Sequence, residues 1–112
     1  FLDNLINKTS GNSFEGKLNS SGKDVPVVTT FFIDNGGKIV GNYIFYQDSY
    51  SYIGSLYDCR VLATQLLNCV WKDEWGDGEL KVTFSKDFDS FNGFWNDSRD
   101  SSTNYIWNGK RF

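Results

Sequence analysis

The chain has 112 residues and a net charge of −3; it has no histidine or methionine, one proline, 11 glycines and 18% aromatic residues. That length holds one domain with one core, and the aromatic, glycine-punctuated composition favours β-structure over a helical bundle. The acidic balance excludes the basic stripe that nucleic acid requires, no basic run could hold an anionic membrane, and no apolar run approaches the ~20 residues of a membrane span.

Residues 1–8, FLDNLINK, place apolar side chains at 1, 2, 5 and 6, which predicts a short amphipathic helical turn lying against the core. A first strand is expected at 14–18, with Phe14, Gly16 and Leu18 on one face, followed by a polar loop at 19–23. Residues 25–33 are dense in β-branched and aromatic side chains, with Pro26 near the start, where a strand tolerates a missing donor. Asn35-Gly36 is a preferred hairpin turn, because both positions accept positive φ. The return strand at 38–47 puts Ile39, Gly41, Tyr43 and Phe45 on one face and Val40, Asn42, Ile44 and Tyr46 on the other.

Strands at 52–62 and 66–74 follow. If Cys59 lies opposite Cys69, the register pairs Tyr57 with Trp71 and Val61 with Leu67, which collects apolar side chains on one face. A disulfide between Cys59 and Cys69 is therefore expected; a helical turn through 60–67 is the competing reading. Gly76-Asp77-Gly78 then turns the chain into an alternating strand through Leu80, Val82 and Phe84. A turn at 86–89 leads to Phe91-x-Gly93-x-Trp95. A polar loop at 96–103 precedes the last strand, 104–112.

About eight strands joined by short turns in up-and-down order predict an all-β antiparallel meander over residues 1–112. Closure into a small, nearly or fully closed β-barrel hides its edges best, and a two-sheet sandwich is the alternative. Strand glycines fit the bends of a barrel wall.

The motif of an apolar residue, Gly and an apolar residue at alternate positions recurs at Phe14–Leu18, Ile39–Tyr43, Tyr52–Leu56 and Phe91–Trp95. Residues 76–97, with Gly76, Gly78, Phe91, Gly93 and Trp95, resemble the hairpin unit of MORN repeats. The other copies lack the Gly-x-Gly element and fall at irregular spacing, so the likeness is to a way of building hairpins. The whole-chain pattern resembles small lipocalin- and avidin-type barrels, which implies the same barrel fold.

Without histidine, the usual general base, the Ser-His and Cys-His nucleophile pairs and the commonest zinc ligand are missing. Two cysteines without Cys-x-x-Cys spacing suit a disulfide better than redox catalysis. Asp73, Glu74, Asp77 and Glu79 could serve as an acid/base pair or as calcium ligands, but their spacing matches no calcium loop and a hairpin tip leaves them solvated. The expectation is a non-enzymatic protein with no metal or cofactor.

The aromatic loop residues remain. Tyr50, Trp75 and Phe88 stand in or beside turns, among the carboxylates of Asp73, Asp77 and Asp87, and together suggest a recognition surface for a basic protein partner. The reading is an exported binding protein, of the inhibitor or toxin-immunity kind; the alternative is a binder of a small apolar ligand inside the barrel. A cavity of ~300 Å³ or more separates the two. Two cysteines in a small β-domain, and a first residue that is not Met, lead us to expect a secreted or periplasmic location after signal-peptide removal, with an artificial chain boundary as the other explanation.

Overall fold

The computed structural model describes Leu5 and residues 12–112. Eight antiparallel strands follow one another around a closed barrel: β1 (Ser13–Ser20), β2 (Lys23–Ile33), β3 (Ile39–Gln47), β4 (Tyr50–Ala63), β5 (Leu66–Asp73), β6 (Gly76–Phe84), β7 (Ser90–Asp97) and β8 (Asp100–Arg111). β8 closes the wall on β1 through Phe14↔Arg111, Glu15↔Lys110 and Leu18↔Trp107. The all-β barrel expected from the meander is the fold observed. Apart from Leu5, which is fully buried, the N-terminal helical turn lies outside the described residues.

Up-and-down order sends alternate turns to opposite ends. Turns at 21–22, 48–49, 74–75 and 98–99 ring one end, and those at 34–38, 64–65 and 85–89 ring the other. Two of the first group are two-residue turns with positive φ at both positions, Ser21 (54°) with Gly22 (82°) and Asp48 (54°) with Ser49 (68°), which matches the right-handed strand twist. The Asn35-Gly36 turn does not take this form. Asp34 Oδ1 instead accepts the Gly36 and Lys38 N–H groups, and Gly37 carries the positive φ of 78°.

Two regions expected as loops are strand. β1 and β2 extend to the 21–22 turn, and β7 and β8 reach the 98–99 turn through Asp97↔Asp100. Residues 100–104 are all exposed, so no apolar alternation marks them; backbone pairing alone makes them strand.

The Cys59–Cys69 disulfide is present, but the register around it differs from the expected one. Val61 does pair with Leu67, whereas Trp71 faces Leu56 and Tyr57 faces Val70. A bulge at Asp58-Cys59, with Asp58 at φ 49°, inserts an extra residue opposite Cys69. The bulge shifts parity, so Leu56 is buried opposite Trp71 while Tyr57 is exposed. The helical reading of 60–67 is replaced by strand to Ala63 and a turn at 64–65.

One end of the barrel is filled. Phe14 and Phe91 meet at 5.3 Å, and Phe31 and Phe84 at 5.8 Å, both edge to face. Phe88 stacks on Phe84 at 5.2 Å. Arg111 lies over the Phe14 ring at 4.6 Å and donates to the Phe88 carbonyl (Nη2, 2.8 Å) and the Leu5 carbonyl (3.2 Å). Halfway along, buried Trp107 donates from Nε1 to Thr29 Oγ1 at 3.0 Å. Among the described residues no buried side-chain polar atom lacks a partner, as a packed interior requires.

Candidate functional site in the open end of the barrel

At the opposite end the interior is open. A cavity of about 490 Å³ descends from the ring of two-residue turns to the Trp107 layer. Its wall is aromatic: Tyr43, Phe45, Tyr52, Trp71, Trp95 and Trp107, with Trp75 at the rim. All four tryptophans of the sequence therefore line one space. Ser20, Gln47, Asp48, Asp73, Asp97 and Arg99 supply its polar rim.

Two glycines make room for the rings. An added Cβ at Gly54 would stand 2.1 Å from Tyr43 Cζ, so the tyrosine ring lies across the bare backbone of its partner on β4. At Gly78 an added Cβ would meet Asn96 O and come within 2.8 Å of Trp71 Nε1. That close approach lets Trp71 donate to the Asn96 carbonyl at 2.8 Å. The ring donors are directed into the protein: Trp95 Nε1 donates to Asn19 O at 3.0 Å and Tyr43 Oη to Asp73 Oδ2 at 2.7 Å. Burial first, and then the bond to Asp73, raises the Tyr43 hydroxyl well above its ordinary range.

Ring pairs meet at steep angles and form corners. Trp71 and Trp95 cross at 86° (5.4 Å), Tyr43 and Trp107 at 73° (4.8 Å), and Tyr52 and Trp75 at 66° (5.7 Å). At the rim, Arg99 grips Asp97 with Nη2 to Oδ2 at 2.6 Å and Nε to Oδ1 at 2.9 Å. These bonds hold the Asp97 carboxyl down to about 2 and raise Arg99. Arg99 Nη2 also donates to the Trp75 carbonyl at 3.2 Å, tying two neighbouring turns together.

Of the residues expected to act together, the structure gathers some and separates others. Asp73 and Trp75 line the cavity, and Asp73 Oδ1 accepts the Trp75 N–H at 2.8 Å. Asp77 stands at the same end outside the cavity, where its side chain accepts from the Ser98 hydroxyl and its carbonyl from the Ser98 N–H at 2.9 Å. Tyr50 is 68% exposed beside a second, shallow depression with Pro26 and Tyr46.

Asp87 and Phe88 belong to the opposite, filled end. Phe88 is only 3% exposed, so it serves the core and offers no surface to a partner. Asp87 builds its own turn, accepting from Ser85 Oγ at 2.7 Å and the Asp89 N–H at 3.1 Å. Among the described residues no three His, Cys, Asp or Glu side chains gather in a group that could hold a metal, Asp73, Glu74, Asp77 and Glu79 included. No helix among them is long and apolar enough to cross a membrane.

Tyr43, Phe45, Trp71, Trp95 and Trp107 were not picked out from the sequence as a site. The signal was available: each has inward strand parity, and most fall within a few residues of the first, third, fifth or seventh turn of the meander, which share one end. Comparison with protein-family models, curated proteins and solved structures finds no match to this chain.

Proposed function

We propose that the protein is a non-enzymatic binder of a small organic ligand, held in the open end of its barrel. The observation that carries this reading is the cavity of about 490 Å³ lined by all four tryptophans. Ligand pockets occupy ~300–1,000 Å³ and combine apolar walls with a few placed polar groups. Here the second group is the Asp73, Asp97, Arg99 and Gln47 rim. Eight strands give an interior that either packs solid or holds one small molecule, and this chain does the first at one end and leaves room for the second at the other.

The disulfide is consistent with an oxidising compartment, and we read the protein as exported on that basis. A protein partner seated on the mouth is the second reading. It draws on Trp75 and Tyr50, 58% and 68% exposed on neighbouring hairpin tips of the same end.

The neutral probe N-phenyl-1-naphthylamine, whose emission rises in apolar surroundings, tests the first reading. Wild type should bind it saturably, and Ser20→Trp, which adds a ring to the rim, should weaken binding about tenfold or more. Absence of saturable binding to wild type, or equal binding by both proteins, would count against a ligand in the barrel.

A further inference from the structure

The chemistry of the lining narrows the ligand class. The walls present π surface, and four of the ring donors are already used: Trp71 on Asn96 O, Trp95 on Asn19 O, Trp107 on Thr29 Oγ1 and Tyr43 on Asp73 Oδ2. A carboxylate or phosphate ligand would need donors, and these four are turned away from it.

The charge of the lining points the same way. Asp48, Asp73 and Asp97 face a single cation, Arg99, and no lysine lines the cavity. Arg99 is held by two bonds to Asp97, which cancels its charge locally and leaves Asp48 and Asp73 in excess. A ring face carries negative electrostatic potential and attracts a cation, most strongly when both are removed from water. The steep Trp71–Trp95 and Tyr52–Trp75 pairs make a box with faces in more than one direction, above a floor of Tyr43 and Trp107, which are buried.

Both oxygens of Asp73 already accept a protein hydrogen bond, from Tyr43 and from the Trp75 backbone. Both oxygens of Asp97 hold Arg99. At these two carboxylates the site thus offers charge and aromatic surface rather than open acceptors. That suits a cation with methyl groups and no N–H to satisfy.

We propose that the cavity takes an organic cation of the quaternary or multiply alkylated ammonium class, boxed by its tryptophans and tyrosines and balanced by Asp73 and Asp48. The proposal rests on the small-ligand reading above and specifies its chemistry.

Choline and its neutral isostere 3,3-dimethylbutan-1-ol separate charge from shape. Each is titrated into wild type, with displacement of N-phenyl-1-naphthylamine and tryptophan emission as readouts. Choline should bind about tenfold more tightly than the alcohol and should weaken as salt is raised. Asp73→Asn and, separately, Asp48→Asn should narrow the choline-to-alcohol ratio. Should one variant fail to fold, the ratio on wild type still decides. Equal or tighter binding of the alcohol overturns the cation proposal while supporting a small-ligand site. Binding of the naphthylamine alone, with neither compound competing, also overturns it. If the naphthylamine and both compounds fail to bind, the small-ligand reading falls and this proposal with it.

Discussion

The Tyr43 hydroxyl donates to Asp73 Oδ2 at 2.7 Å across the inside of the barrel, joining β3 to the end of β5. Gly54 makes the contact possible by leaving its backbone bare under the tyrosine ring. A glycine on β4, a phenol on β3 and a carboxylate on β5 thus shape one wall of the cavity.

The pair makes stability sensitive to alkali. Tyr43 ionises above its ordinary value of 10.0 when folded, whereas in the unfolded chain it ionises near that value. Above about pH 10 the unfolded state therefore loses a proton that the folded state keeps. The stabilisation is intact below that pH and falls as pH rises beyond it, by at most about 1.4 kcal/mol per pH unit. Tyr43→Phe should reduce the slope. Urea midpoints at several pH values between about 9 and 11 check this, and parallel slopes for the two proteins would contradict it.

Gly93 sits between β6 and β8. An added Cβ would lie 2.7 Å from Val82 Cγ1, 2.8 Å from Lys81 O and 2.9 Å from Trp107 O. Two of these atoms are backbone and cannot swing aside, so Gly93→Val should cost on the order of 1–3 kcal/mol. For a domain of this size that lowers the melting temperature by about 4–8 °C per kcal/mol. An unchanged melt would show that the wall yields more easily than its contacts imply.

Arg111 plugs the filled end. Its guanidinium reaches the Phe88 and Leu5 carbonyls, covers Phe14 and lies 3.6 Å from Asp89. Burial pulls its ionisation down. Arg111→Lys keeps the charge but loses the planar fork, so we expect a loss of about 1.5–3 kcal/mol in denaturant unfolding. Naphthylamine binding at the far end should stay at the wild-type level.

The Cys59–Cys69 bridge spans a sequence separation of 10, for which loop closure gives roughly 3 kcal/mol at most. Freshly prepared protein should gain no alkyl groups without reductant and two after reduction, by intact mass. Two modified thiols at the outset would contradict the bridge and remove the basis for an oxidising compartment.

The barrel was legible because turn residues and inward alternation agree along most of the chain, as with Ile39, Gly41, Tyr43 and Phe45. The bulge at Asp58 was hidden: a positive φ at an aspartate leaves no pattern in hydrophobicity, yet it moved Leu56 inward and Tyr57 outward. The site was legible only in part. Asp73 and Trp75 were found because they mark a turn, whereas Trp71, Trp95 and Trp107 look identical to core until one end of the barrel is known to be open. Phe88 misled for the opposite reason. It sits in a turn, at φ 59°, but folds back onto Phe84.

The four tryptophan indole N–H groups allow the central claim to be measured directly. They can be followed by ¹⁵N–¹H correlation spectra while water-soluble ring-bearing and alkylammonium compounds are added to the native protein. A compound that binds should shift the Trp71, Trp75 and Trp95 indole signals together, while the Phe14, Phe31 and Phe91 backbone signals at the filled end stay in place. Binding that leaves the indoles unmoved and shifts residues of the outer wall or the filled end would contradict a ligand site in the barrel.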